Sequence, residues 1–205
     1  VFIRSIGNKG RPGGLSRSAQ DSMRVLEAMG KDVVIVETAG VGQTDVDVVD
    51  TVDAVVLVTV PEAGDEVQAL KAGILEAADI IVLNKVDRPE ADGLGSELQE
   101  LVTEQGEVAG WQVPLLRTSA TTGEGVDELF KALNAFEAYA NDGDRLLARR
   151  KLQMEKELRE RLRQKMSDVL DQRMTSTDLR RSVDQVVGGE TDPYRAVADL
   201  VESLL

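Results

Sequence analysis

The 205-residue chain contains no cysteine and no histidine. Without cysteine it has no thiolate nucleophile, no disulfide and no Cys/His zinc site. Without histidine it has no imidazole base, which excludes Ser-His-Asp and Cys-His catalysis. Any chemistry must therefore depend on carboxylates, hydroxyls, amides, lysine, backbone groups or a metal ion held by oxygen ligands.

Long apolar runs are also absent. None reaches the roughly 18 residues that a membrane-spanning helix needs, so we expect no membrane association. The formal net charge is −13, from 24 Lys+Arg and 37 Asp+Glu. This balance argues weakly against nucleic-acid binding, although a local basic patch can override a net charge. The lack of cysteine fits a reducing compartment, and we expect a cytoplasmic protein.

Short apolar runs rich in β-branched residues predict the strands. Each has four or five residues without polar alternation, as in parallel strands buried on both faces. Helix-like segments separate them, which predicts an α/β fold with a mostly parallel sheet of the P-loop-NTPase type and flanking helices. Ligands of such sheets bind beyond the carboxyl ends of the strands. The predicted strands are 33–36, 54–58, 80–83 and 113–116, and the predicted helices are 15–29, 64–77, 94–105 and 124–140.

The character of the sequence changes after Asn141, which predicts a partial nucleotide-binding domain over 1–141 and a helical arm over 142–205. Residues 145–165 hold nine Lys/Arg against three Glu. Leu158, Leu162, Met166 and Val169 recur at helical spacing and mark one face. Two interpretations stay open: a long solvated helix with an apolar stripe, or an arm that packs on a second chain. Further helices are predicted over 175–187 and 193–205.

The sequence Asn84-Lys85-Val86-Asp87 directly follows the predicted strand 80–83. A carboxylate at Asp87 can accept both the ring N–H and the exocyclic amine of guanine, a donor pair that adenine lacks. Asn84 can bond the base edge, and the methylene stem of Lys85 can cover the face of the base. Chance occurrences on surface turns are common, but the position after a buried strand favours a nucleotide site.

A second loop follows the next predicted strand. Ser119 and Ala120 are small, so the backbone there can approach the base and offer an N–H to the guanine carbonyl. The loop also fits a simple cap for the following helix. Because both motifs stand at the ends of successive strands, their conjunction is more specific than either alone.

A third motif follows the run 33–36. Glu37 is an acid at the end of a predicted buried strand, where P-loop NTPases place a residue that reaches Mg²⁺. Gly40 allows a backbone N–H to approach a γ-phosphate. A strand-to-loop acid followed by a flexible glycine is the alternative interpretation.

Together these residues resemble the MeaB/ArgK family of GTPases, the methylmalonyl-CoA mutase-associated group within the wider class of metal- and cobalamin-linked G proteins. The resemblance covers nearly the whole chain and is most specific over Glu37–Gln43. It includes Ala63-Gly64-Asp65, the stretch 68–76, Asn84–Asp87 and the terminal Val187-Gly188-Gly189-Glu190.

The resemblance implies a GTP-binding and GTP-hydrolysing chaperone, with Mg²⁺ as cofactor. Such proteins assist the loading of adenosylcobalamin into methylmalonyl-CoA mutase and protect that enzyme. It implies that a loop with Asp65, Gln68 and Lys71 couples nucleotide state to the mutase. It also implies that the C-terminal helices form a homodimer, which favours the arm interpretation.

The sequence departs from this pattern at the phosphate-binding loop, G-x-x-x-x-G-K-[S/T]. Its only Gly-Lys pair, Gly30-Lys31, has Val25 where the first glycine belongs and Asp32 where Ser/Thr belongs. The opening Val1-Phe2-Ile3-Arg4 reads like the inside of a strand. We therefore expect an N-terminally truncated chain that binds GTP poorly and hydrolyses it negligibly by itself.

The second switch predicts a slow GTPase in the complete protein. Many small GTPases use a glutamine after the switch glycine to orient water, but Val41 stands there. Gln43, two residues on, is the candidate substitute, so Glu37, Gly40 and Gln43 are the predicted catalytic set. The alternative function is a nucleotide-independent dimeric interaction module with a degenerate nucleotide-binding domain.

Overall fold

A computed structural model describes residues 1–7, 15, 17–38, 46–61 and 77–204. It divides the chain into two compact units, 1–151 and 152–205, with the division inside one long helix. The strands are β1 (Val56–Thr59), β2 (Ile80–Leu83), β3 (Glu107–Val108), β4 (Trp111–Gln112) and β5 (Leu115–Arg117). The helices are α1 (Arg17–Ala28), α2 (Val46–Val49), α3 (Ala91–Gln105), α4 (Val126–Asn141), α5 (Arg145–Arg173), α6 (Ser176–Val187) and α7 (Pro193–Leu204), with a 3₁₀ turn at Asp142–Asp144.

The first unit contains a parallel sheet in the order β1-β2-β5. Val56 pairs with Ile80, and Ile81 pairs with Leu115. Every residue of β2 is buried, whereas β1 and β5 are only partly buried because they lie at the edges of this three-stranded sheet. The α/β class with a parallel sheet is thus confirmed, and the strand predicted over 80–83 has the bounds that the sequence indicated.

Alternate side chains of β2 enter two cores on opposite faces of the sheet. Ile81 and Leu83 pack with Leu94 and Leu98 of α3, together with Ala78, Ala91, Val102 and Val113. Ile80 and Val82 pack with Phe136 and Ala140 of α4. This two-sided burial explains why β2 has no polar residue, since polar side chains would be costly on either face.

The prediction of a buried strand over 33–36 is wrong. The structure assigns no strand there, and Val33 and Ile35 are 76% and 87% exposed. A strand is buried on both faces only when other strands flank it and helices cover it, and within the described residues the sheet ends at β1. The opening residues likewise form no strand, and Ile3 is 87% exposed.

The other boundaries shift by small amounts, and the sequence did not predict the short helix α2, the hairpin β3–β4 or the 3₁₀ turn. β1 begins two residues later than expected, and β5 begins after Pro114, whose carbonyl accepts the Ile81 N–H at 3.0 Å. The antiparallel hairpin β3–β4 turns at Ala109 and Gly110, which both have positive φ, as a tight two-residue turn requires. The predicted helix 64–77 lies outside the described residues apart from its last residue.

Two consecutive arginines join the start of α5 to the residues that precede β1 and β2. Arg149 Nη1 donates to both carboxylate oxygens of Asp79, at 3.1 and 3.0 Å. Arg150 Nε donates to Asp53 Oδ1 at 2.8 Å. Burial raises the pKa of Asp79 above its ordinary value, although the Arg149 charge and hydrogen bonds from Arg149 and the Val55 N–H oppose this.

Replacing Arg149 with methionine should lower the free energy of unfolding by about 2 kcal/mol at pH 7, because the half-buried carboxylate of Asp79 loses its cation. The raised pKa means that the folded protein binds this proton more tightly than the unfolded chain, so acidification favours folding. The deficit should shrink as the pH falls from 7 towards about 4. Urea unfolding at pH 7 measures this loss, and Arg150→Met, whose ion pair with Asp53 is more exposed, is the control and should show a smaller loss.

The second unit comprises the later part of α5 and the helices α6 and α7. A reciprocal capping box starts α6: Asp178 N donates to Thr175 Oγ1, and Thr175 N donates to Asp178 Oδ2. This hydrogen bonding by Thr175 lowers the pKa of Asp178. Many large apolar side chains of this unit are exposed, namely Leu152, Met154, Leu158, Leu162, Met166, Leu179, Val183, Val187, Tyr194, Val197 and Val201. No helix in the described ranges is long and apolar enough to cross a membrane.

Candidate functional site

The carboxyl ends of β1, β2 and β5 meet at one edge of the sheet and are joined by backbone hydrogen bonds. Asn84 N donates to Thr59 O at 2.8 Å, and Thr118 N donates to Leu83 O at 2.9 Å. Val86 N then donates to Thr118 O at 3.1 Å. The loops after β2 and β5 are therefore held together, as the rule for parallel strands predicts.

Asn84 links the two loops through its side-chain oxygen. Its Oδ1 accepts from Thr118 Oγ1 at 3.2 Å and from the Ala120 N–H at 3.1 Å. Because the Ala120 N–H can only donate, this contact identifies the amide oxygen. The Nδ2 group of Asn84 is then left to donate to another acceptor, such as a ring nitrogen at the edge of a base.

Asp87 is connected to the same loop through a buried hydroxyl. Ser119 Oγ donates to Asp87 Oδ1 at 2.7 Å, and Ser119 is fully buried. Asp87 itself is exposed. A carboxylate offers about four lone-pair positions, so one bond from Ser119 leaves Oδ2 and part of Oδ1 for two further donors. This arrangement can accept a neighbouring pair of N–H groups.

Lys85 stands between these two side chains in a left-handed backbone conformation, with φ of 60°. This conformation costs a residue with a Cβ about 1–2 kcal/mol, and such costs concentrate at ligand sites. The side chain is half-buried. Its predicted contact with the face of a base stays a prediction.

A tight turn fixes the loop that carries Ser119 and Ala120. Ser119 N donates to Glu124 O at 3.0 Å, and Gly123 N donates to Ser119 O at 2.8 Å. Gly125 has φ of +73°, and a Cβ at this position would lie only 2.0 Å from Arg117 O. Only glycine fits there without moving the strand or the loop.

The structure brings together four of the predicted nucleotide-site residues, Asn84, Asp87, Ser119 and Ala120, with Lys85 between the first two. Sequence reasoning did not assign a role to the hydroxyl of Thr118, which is buried and bonds to Asn84. The available signal was a hydroxyl residue directly before the Ser-Ala pair.

The described residues show no contact between the nucleotide-site cluster and the residues predicted to hold the metal or to couple to the mutase. Glu37 is exposed, at the end of the unpaired segment 33–38. Gly40, Gln43, Asp65, Gln68 and Lys71 lie outside the described residues. Among the residues that are described, no three Asp or Glu side chains come together in a way that could hold a metal ion.

A cleft of about 200 Å³ lies elsewhere, at the amino-terminal ends of the strands, with Trp111, Phe136 and Tyr139 in its walls. Its polar groups are used internally. Trp111 Nε1 donates to Asp79 O at 2.8 Å, and the Arg145 guanidinium lies 4.7 Å from the centre of the Tyr139 ring. This cleft is therefore separate from the N-K-x-D motif, which lies at the carboxyl-terminal ends of the strands.

Comparison with known proteins decides the family. A family profile described as "Methylmalonyl Co-A mutase-associated GTPase MeaB" matches residues 1–177. The chain belongs to the MeaB family. This membership confirms the resemblance drawn from Glu37–Gln43 and Asn84–Asp87.

The MeaB relatives come from archaea, bacteria and animals. A Pyrococcus horikoshii protein with GTPase in its name is 40% identical over 204 residues, which are 98% of this chain and 63% of that protein. The mouse protein "Methylmalonic aciduria type A homolog, mitochondrial" is 31% identical over 213 residues, 98% of this chain and 49% of that protein. The Escherichia coli protein "GTPase ArgK" is 34% identical over 188 residues, 88% of this chain and 55% of that protein.

A solved structure supports the same assignment. The protein of the "Crystal structure of LAO/AO transport system kinase" is 27% identical, with a TM-score of 0.67 over 91% of this chain and 61% of that one. The chain thus spans about 63% of the length of the first relatives that it matches.

Proposed function

We propose that this chain carries the guanine-recognition site of a GTP-dependent chaperone of methylmalonyl-CoA mutase. The observation that carries the proposal is the convergence of Asn84, Asp87, Ser119 and Ala120 at two neighbouring strand ends. The Asp87 carboxylate accepts the ring N–H and exocyclic amine of guanine, and Asn84 Nδ2 donates to the base edge. The Ala120 N–H donates to Asn84 Oδ1 in this structure, so its proposed bond to the guanine carbonyl requires it to exchange that acceptor when the base binds. Membership of the MeaB family supports this assignment.

The nucleotide is GTP or GDP with Mg²⁺, and Glu37 is the proposed metal-side residue. Mg²⁺ prefers hard oxygen ligands and retains water, so a carboxylate at a strand-to-loop junction fits it. Mg²⁺ would neutralise charge that develops on the phosphates. Gly40 and Gln43 are proposed to approach the γ-phosphate and to orient water, respectively.

The proposed partner is methylmalonyl-CoA mutase, with Asp65, Gln68 and Lys71 in the loop that couples nucleotide state to it. The family description and the name of the mouse relative support this partner. Adenosylcobalamin loading and protection of the mutase in the cytoplasm are the proposed roles. The slow step is hydrolysis, which a partner accelerates by completing the site around Val41.

We also propose a homodimer that forms through the helical arm over 142–205. The exposed apolar side chains of the second unit, including Leu158, Leu162 and Met166, support this because burial against a second copy would remove them from water. Sedimentation of the native protein should give twice the chain mass, and a monomer at micromolar concentration would contradict the dimer.

The chaperone proposal predicts slow GTP hydrolysis by the protein in its native form, with a higher rate after its cognate mutase is added. Phosphate release measured with and without mutase tests this. Glu37→Gln removes the metal-side carboxylate and should therefore abolish the stimulated rate. A fast basal rate that the mutase leaves unchanged would contradict the proposal.

A further inference from the structure

We propose that Thr121 is a positioning residue that sharpens selectivity for the 2-amino group of guanine, by acting through Ser119 on Asp87. The inference rests on the proposed guanine site and assigns a role to a residue outside the N-K-x-D motif. Thr121 Oγ1 lies 3.1 Å from Ser119 Oγ, which lies 2.7 Å from Asp87 Oδ1. The three side chains therefore form one short chain of hydrogen bonds.

The direction of these two hydrogen bonds follows from the number of protons that each group can donate. A carboxylate can only accept, and a serine hydroxyl has one proton. Ser119 donates that proton to Asp87, so Ser119 Oγ accepts from Thr121 and the Thr121 hydroxyl is the donor. Hydrogen bonds that follow one another in this way strengthen each other, so Thr121 tightens the bond from Ser119 to Asp87.

Because Ser119 is buried, its hydroxyl depends on the hydrogen bond that it accepts from Thr121. Ser119 is fully buried, whereas Thr121 is exposed at the start of the turn. Removing the Thr121 hydroxyl would leave the accepting position of a buried oxygen without this donor. That position is costly to leave unpaired, so Ser119 would be held less firmly.

The orientation of the Asp87 carboxylate decides how many guanine donors it can accept. A carboxylate fixed through Oδ1 presents its oxygens side by side, which suits the adjacent ring N–H and 2-amino group of guanine. If the carboxylate is held less firmly, the two-point contact with guanine loses more binding free energy than a single contact would. Hypoxanthine keeps the ring N–H but lacks the 2-amino group, so it is the sensitive comparison.

The test is calorimetric titration of GDP and inosine diphosphate into the native protein and its Thr121→Val variant, which removes the hydroxyl and keeps the shape. GDP should bind about threefold more weakly, while inosine diphosphate changes little, so their affinity ratio falls. Thr121→Ser should restore the wild-type ratio. Thr122→Val is the matched control, because the Thr122 hydroxyl contacts only the backbone, at Ser119 O and Glu124 N, and its ratio should equal that of wild type.

A wild-type affinity ratio in Thr121→Val, or an equal fall in Thr122→Val, would overturn the role of Thr121. Failure of the underlying guanine site has a different signature, because the wild-type protein would then bind GDP and ADP equally. Selective wild-type binding of GDP with an unchanged ratio in Thr121→Val would reject only the inference about Thr121.

Discussion

Replacing Asp87 with alanine should weaken GDP binding by roughly 100- to 1000-fold, because two hydrogen bonds to a charged acceptor disappear together. The affinity for ADP should change little, since adenine has no pair of donors at the corresponding edge. The outcome is a loss of base discrimination rather than a general loss of nucleotide binding. Competition against a fluorescent GDP analogue measures both affinities in the native protein.

Glu90→Ala is the matched control for Asp87→Ala. Glu90 lies three residues further along the same loop and is exposed, and its removal changes the net charge by the same amount. GDP affinity should stay within about twofold of wild type, because only general electrostatic attraction changes. An equal fall in both variants would show that charge, rather than contact with the base, explains the effect of Asp87.

Replacing Gly125 with alanine should lower the free energy of unfolding by about 3 kcal/mol. Part of this comes from the positive φ of +73° and part from the new Cβ, which would lie 2.0 Å from Arg117 O. Arg117 is the last residue of β5 and directly precedes the loop with Ser119 and Ala120. The backbone movement that relieves the clash should therefore also displace this loop and weaken GDP binding. Urea unfolding and GDP titration of the same variant test the two effects.

Gly123→Ala separates conformational strain from crowding. Gly123 has a similar φ of +83°, but no atom lies within 4 Å of the position of its new Cβ. We expect a loss of about 1 kcal/mol, from strain alone. Losses of equal size at Gly123 and Gly125 would contradict the close approach of Gly125 to β5.

The sequence predicted the parts of this structure that depend on burial and on strand order. β2 is buried on both faces and therefore has an unbroken apolar sequence, Ile80–Leu83, that is readable by itself. The joining of Asn84 and Asp87 to Ser119 and Ala120 follows because adjacent parallel strands end at the same edge of a sheet.

What the sequence could not predict depends on neighbours or on loop conformation. The run 33–36 has the composition of a buried strand, but composition does not reveal whether another strand pairs with it. The β3–β4 hairpin has only two residues in each strand, too few for a periodic pattern. The bond from Ser119 to Asp87 depends on the conformation of the turn that follows Ser119. Ser119, Thr121 and Thr122 all carry hydroxyls, and their order in the sequence does not show which of them bonds to Asp87.

The central claim is that this edge of the sheet recognises guanine, and the most direct test compares GDP with ADP. Calorimetric titration of both nucleotides into the native protein with Mg²⁺ should give at least a roughly 100-fold tighter Kd for GDP, because only guanine satisfies both acceptor positions of Asp87. Equal affinities for GDP and ADP would contradict the guanine assignment. Binding of neither would favour the nucleotide-independent interaction module instead.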